Sequence, residues 1–293
     1  MKHENQQTLS SAGLWTSVAS LVTALLLSTS SLVSAETVLG QCTKNPITIS
    51  VSGSYILDSN PGPAAPGKDC IDVHANDVFI DLNGFVISGG GGIGINASTA
   101  ADVSVTNGTV TGMTSTGIIL GNDGVVQGIH ANSNGNDGID CGLNCLISGN
   151  TATDNHNVGI QATGSTISAN TANHNGLAGI VAQSGSVVSN NVADRNGFTT
   201  SCLGDGITTV SQTTCIEPAG AGGVLAIGNS TQGNTGCGIN LAGDSTNGFQ
   251  NNVAANNSRT SPPSSTGQIS GGTNLGQNLC NGSTACASSA CFI

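Results

Sequence analysis

Between about Val103 and Ala254 the apolar positions fall in short clusters, each one or two inward-type residues flanked by polar ones. The clusters recur at a fixed interval. With Asn150, Asn170 and Asn191 as markers, the spacings are 20 and 21 residues. Asn229 and Asn252 continue the series after an interruption, and Gly108 and Ile129 hold the same place upstream. Three positions before each marker stand Val105, Val126, Ile147, Ile167, Val188, Ala226 and Phe249. Two positions after it stand Val110, Ala131, Ala152, Ala172, Ala193, Thr231 and Ala254. Five positions after, asparagine returns at 134, 155, 175, 196, 234 and 257, and nine positions after, a Gly-Ile pair begins at Gly117, Gly138, Gly159, Gly179 and Gly238. A period near 21 with short β-branched runs and Asn or Gly corners predicts a solenoid of strands with apolar side chains inward. Asparagine suits such corners because it tolerates left-handed backbone, and stacked amides can bond along a ladder. A leucine-rich repeat has an overlapping period, but its leucine consensus is missing. A β-sandwich keeps no fixed period.

These columns, together with the line IDVHANDVFIDLNGFVISGGGG at 71–92, resemble the right-handed parallel β-helix proteins of the pectate lyase-like superfamily. The resemblance covers roughly Ile47 to Asn257. It implies an all-β, right-handed parallel β-helix with coils of about 21 residues, disulfide-stapled ends and one inserted loop. The expected organisation is an export signal at 1–35 and a β-helix at 36–257. The helix includes an amino-terminal cap at 36–70 and an insertion at 198–222. A cysteine-rich cap or tail follows at 258–293. The superfamily hosts many functions, so the activity it implies is a class: binding or processing of extracellular polysaccharide.

Composition narrows this picture. The chain has 293 residues with 43 glycines, 7% charged and 2% aromatic residues, so its core must be thin and built from Val, Ile, Ala and Leu. A net charge of −11 argues against nucleic acid and anionic membrane surfaces as partners. Lys2, the apolar run from about Val18 to Leu27 and the small residues Val33-Ser34-Ala35 read as an export signal, and no later segment is long and apolar enough to span a membrane. All ten cysteines follow the expected cleavage point: Cys42, Cys70, Cys141, Cys145, Cys202, Cys215, Cys237, Cys280, Cys286 and Cys291. An even number in an exported chain reads as disulfides in an extracellular or periplasmic protein. Cys42 with Cys70 would close the first coil, Cys202 with Cys215 would staple the insertion, and Cys280, Cys286 and Cys291 would knot the end. Cys141 and Cys145 have metal-ligand spacing, but no second cysteine or histidine pair completes a zinc site.

Candidate chemistry comes from register. Asp154, His174 and Arg195 each stand four positions after a marker on successive coils, so they would form an outward row about 4.8 Å apart. An acid, an imidazole and a guanidinium in line would supply a base, a proton shuttle and a stabiliser of negative charge. Asp194 and His156 flank the row as candidate substrate contacts. Read without chemistry, the same row is a solvated ladder of mixed charge. Asp137 and Asp140, with Asp205 as an optional third, flank the Gly-Ile column as an acidic group that calcium would suit. Asp72, Asp77, Asp81 and His74 alternate with apolar residues as surface positions would. SGGGGIGIN at 88–96 reads as a coil bend, having no lysine or helix pattern for phosphate. The aspartate pairs and arginine segments of well-known glycan hydrolases and lyases of this fold are missing. Two readings therefore stand: a lyase-, epimerase- or hydrolase-like enzyme of a uronate polymer or other glycan, and a non-catalytic structural, adhesive or envelope-associated module. A third, ice binding, needs an unbroken threonine row, and Val192 and His130 interrupt Thr151 and Thr171. The chain is expected to be a monomer.

Overall fold

The computed structural model describes residues 36–198, 204–209, 222–241, 245–257 and 268–281. Among these the strands pair in parallel into three faces along one axis. Face A starts at Thr37–Leu39 and ends at Thr273–Asn274. Face B starts at Ile47–Ile49 and ends at Ile269–Ser270, with ten strands. Face C takes in Val86–Ser88, the latter parts of Val103–Thr111 and Val125–Asn132, then Thr151–Thr153 and Thr171–Asn173. Isolated bridges through Val192 carry it on to Ser230–Gln232, Val253–Ala255 and Leu279–Cys280. The chain is a parallel β-helix.

The repeat columns are the inward rows. On face A, Val126, Ile147, Ile167, Val188, Ala226 and Phe249 stand in register. On face B the row is Ile118, Ile139, Ile160, Ile180, Ile207, Ile239 and Ile269. Face C contributes Ala131, Ala152 and Ala172. All are fully or almost fully buried. Large isoleucines on one face and small alanines on another fill a narrow core in which Phe249 is the one buried aromatic among the described residues, and each buried isoleucine contributes roughly 2–3 kcal/mol.

The marker asparagines do something different from turning the chain. The left-handed residue lies one place earlier, at Gly149, Ala169, Asn190, Gly228, Asn251 and Gln277. The markers point inward and form a buried amide ladder, Asn150 to Asn170 to Asn191 to Asn229 to Asn252 to Asn278, with Nδ2···Oδ1 distances of 3.0–3.1 Å. A second ladder runs from Asn134 through Asn155, Asn175, Asn196, Asn234 and Asn257 to Gln268. Each Oδ1 also accepts a backbone N–H of the preceding coil, as in Asn150 N to Asn170 Oδ1 at 2.9 Å, so the corners' polar groups are satisfied inside the core. The Gly-Ile column follows from the second ladder. A Cβ on Gly159 would meet Asn175 Nδ2 at 2.6 Å, so only glycine lets the amide pack there.

Two boundaries differ from expectation. Inside 198–222, Ile207–Thr208 is a face-B strand paired with Ile180–Val181 on one side and Ile239–Asn240 on the other, so part of the expected insertion is stack. Beyond Asn257 a further coil follows on all three faces, because Gln268 and Asn278 continue the two ladders. Cys42–Cys70 is a disulfide, and so is Cys141–Cys145, which lies mid-stack and removes the zinc alternative. Cys237 and Cys280 are also disulfide-bonded. Residues 1–35 and Cys202, Cys215, Cys286 and Cys291 lie outside the described residues. Among the described residues no helix is long and apolar enough to cross a membrane.

Candidate functional site

Asp154, His174 and Arg195 occupy one corner column, between face C and the second asparagine ladder. Their φ angles are 58°, 54° and 54°, left-handed like Ser133 and Asn256 in the same column. The corner needs that backbone because the next residue must turn its amide inward. An outward side chain at the corner is therefore architectural, and its chemical identity is free.

Two of the three meet. His174 Nδ1 lies 2.5 Å from Asp154 Oδ1, with side chains 58% and 54% exposed. A carboxylate only accepts, so Nδ1 carries a proton, and in the neutral imidazole this leaves the lone pair on Nε2. Arg195 is exposed on the next coil, and no carboxylate lies within 4 Å of its guanidinium among the described residues. His156 is exposed too; its backbone N–H donates to Asn134 O at 2.9 Å, and no side-chain bond ties it to the pair. Asp194 serves the fold: its Oδ1 accepts Gln232 N at 2.8 Å, and its own N–H donates to Asn173 Oδ1 at 2.8 Å. Burial raises its pKa, with the Gln232 amide and the Arg195 charge pulling the other way. Beside the corner, face C presents the hydrogen-bonding row Asn132, Thr153, Asn173 and Asp194 along the axis.

Phe198 is the component that register could not supply. Its ring stacks on His174 with centroids 5.0 Å apart and planes 27° apart. It is 46% exposed, although the equivalent place one coil earlier, Leu177, is buried. The available signal was compositional: Phe198 is one of five phenylalanines in the whole chain.

Asp140 lies in the face-B strand Ile139–Leu143, and Asp137 lies just before that strand. Burial pushes Asp137 up to about 6; the Val158 amide, which donates to its Oδ1 at 2.9 Å, opposes this, and the Asp140 charge adds to it. Burial also raises Asp140, eased by a hydrogen bond from Gln161. Asp69 and Asp205 play a related part elsewhere. Asp69 accepts Ile93 N at 2.7 Å and Asn96 Nδ2 at 2.9 Å; Asp205 accepts Cys237 N at 2.7 Å and Asn240 Nδ2 at 3.0 Å. These acids clip one coil to the next. Among the described residues no three His, Cys, Asp or Glu side chains gather into a metal-binding group. Asp72 has a buried, unpartnered Oδ1, and burial followed by Asp69 raises its pKa. Thr151 and Thr171 align, with His130 before them and Val192 after, so the threonine row is two residues long.

No family model matches the chain, and no curated protein matches it. Solved structures do match in shape. The A-module of mannuronan C-5 epimerase AlgE6 from Azotobacter vinelandii is 13% identical, with a TM-score of 0.49 over 80% of this chain and 87% of its own. Pectate lyase Pel9A is 16% identical, with a TM-score of 0.48 over 88% and 82%. The A-module of AlgE4, also from Azotobacter vinelandii, is 14% identical, with a TM-score of 0.46 over 80% and 79%.

Proposed function

We propose that this is an extracellular glycan-acting protein that lays an extended polysaccharide along face C and uses His174 as a base, oriented by Asp154. The observation that carries the reading is the His174–Asp154 contact at 2.5 Å. It leaves Nε2 as a proton acceptor at the edge of an axial row of amide and hydroxyl groups. For a uronate unit, Nε2 would take the proton from the carbon bearing the carboxylate. In elimination the C–H electron pair becomes a ring double bond as the neighbouring glycosidic C–O bond breaks. In epimerisation a proton returns to the opposite face. Either route builds negative charge on the uronate carboxylate, and Arg195 stands one coil on, with no carboxylate of its own within 4 Å among the described residues. The disulfides Cys42–Cys70 and Cys141–Cys145 fit an oxidising compartment, and the chain is taken to act as a monomer.

The test is a screen of uronate and neutral polysaccharides, with and without calcium, following unsaturated product, reducing ends and epimer content. Activity in the wild type that vanishes in His174→Ala, with the fold intact by circular dichroism, supports the reading. An equally active His174→Ala protein removes the assignment. The more than half exposed dyad also favours a second reading, a non-catalytic glycan-binding module. It is identified by binding without turnover across the same panel.

A further inference from the structure

We propose that Phe198 is a positioning residue that holds the His174 ring in the orientation where Nδ1–H meets Asp154 and Nε2 faces outward. This deepens the dyad reading, but it stands on geometry of its own. Asp154 constrains the imidazole along one edge only, and a hydrogen bond between two exposed side chains leaves the ring free to swing about it. The Phe198 ring stacked at 5.0 Å constrains a face, and edge plus face together fix a planar ring.

The backbone explains why Phe198 can do this. In the preceding coil the chain continues from Gly176 into Leu177, whose side chain is buried with Val158, Ala178 and Val181. On the next coil it is Gly204 that packs on Leu177, where a Cβ would lie 2.4 Å from Leu177 O. Gly197 and Gly204 are in contact: a Cβ on Gly204 would lie 2.1 Å from Gly197 Cα, and one on Gly197 would lie 2.6 Å from Gly204 Cα. Thr235 on the next coil pins both sides, accepting Gly204 N at 3.0 Å and donating to Gly197 O at 3.2 Å. Gly197 N donates in turn to Asn175 O at 2.8 Å, one residue from His174. Phe198 is therefore launched from a clasp anchored to the same coil as the imidazole. Its turn outward leaves the inner place to Gly204. A large apolar side chain kept half exposed at that point, in a chain with 2% aromatic residues, fits contact with His174 as its role.

The test reads the imidazole directly and needs no substrate. In ¹⁵N-labelled protein, with the His174 signals assigned by their loss in His174→Gln, the carbon-bound ring protons of His174 should carry a ring-current shift from Phe198. The nitrogen shifts should report the Nδ1–H tautomer. Phe198→Ala should abolish the ring-current shift and move the tautomer ratio toward Nε2–H by about three- to tenfold, as an aromatic pair of ordinary strength supports. Phe198→Tyr should restore both, and Asp154→Ala should shift the tautomer while keeping the ring current. Ring-proton shifts unchanged in Phe198→Ala overturn the stack. A lost ring current with an unchanged tautomer ratio overturns the positioning role. A protein inactive on every glycan would defeat the catalytic reading and leave this result standing.

Discussion

Replacing Asn170 with alanine removes one rung from the middle of a buried ladder, and the cost can be worked from its contacts. The Asn170 amide donates to Ile147 O at 2.9 Å and to Asn191 Oδ1 at 3.0 Å. Its oxygen accepts Asn150 N at 2.9 Å and Asn150 Nδ2 at 3.0 Å. Asn150, Asn170 and Asn191 are all 2% exposed or less, so water cannot replace the lost partners. Four bonds at about 1 kcal/mol each set a loss of about 4 kcal/mol. The orphaned Asn150 N–H pushes the figure up, while retention of the Asn170 N to Asn191 Oδ1 bond limits the damage on the far side. The assay is urea unfolding followed by circular dichroism, with a lower midpoint at unchanged slope as the expected result. Asn173→Ala is the matched control. Its amide lies on the outward side, where Oδ1 accepts Asp194 N at 2.8 Å, and about 1 kcal/mol is expected. If both substitutions cost the same, buried amide bonding is not what holds the corners, and the reasoning fails.

Other outcomes follow from the same structure. Asp137 has a folded pKa of about 6 against 3.8, so its ionised form is disfavoured in the fold, and its contribution to stability declines as pH rises from about 4 to 6. Asp137→Asn should therefore stabilise the protein above pH 6 by at most about 3 kcal/mol and leave stability at pH 4 unchanged; parallel pH–stability curves for the two proteins would contradict this. Opening Cys42–Cys70, which spans 28 residues, should cost about 3–4 kcal/mol on the loop-entropy model, against about 2 kcal/mol for Cys141–Cys145, which spans four. Midpoints of the two Cys→Ala double variants compare them. Arg195→Asn should raise the unfolding midpoint or leave it unchanged, because asparagine accepts a φ of 54° more readily than arginine, while turnover of a uronate polymer falls; a destabilised variant would mean that Arg195 makes structural contacts beyond its corner.

The fold was largely legible because a solenoid writes its cross-section into every coil. Ile147 and Ile167 share a column in sequence and are partners in space. The asparagine columns were equally visible, but their job was only half readable. Spacing cannot tell an amide that turns the backbone from one that enters the core a residue after the turn. The same ambiguity hid the fact that Asp154, His174 and Arg195 occupy left-handed corners. Register brought Asp154 and His174 together correctly because a parallel stack places equal positions side by side. It gave no access to Phe198, whose place is set by an irregular clasp between Gly197, Gly204 and Thr235. It also ran on past the expected end at Asn257, because Gln268 substitutes for asparagine with a longer arm that spacing alone does not reveal.

The two amide ladders are also directional. Every rung presents NH₂ toward the carboxy-terminal end of the stack and oxygen toward the amino-terminal end, so each ladder has a donor end and an acceptor end. Left open, those ends would be sockets for another copy's rungs, and like stacks could concatenate. Both are closed from within. Ile129 N and Met113 N donate to the first oxygens, at Asn150 and Asn134. Gln268 folds back onto Asn257 O, and Asn278 spends its NH₂ on Asn274 Oδ1 and Gly276 O. The protein can thus gain or lose whole coils by duplication or deletion in its middle, where any rung fits any other, and its ends stay finite because the terminating residues travel with them.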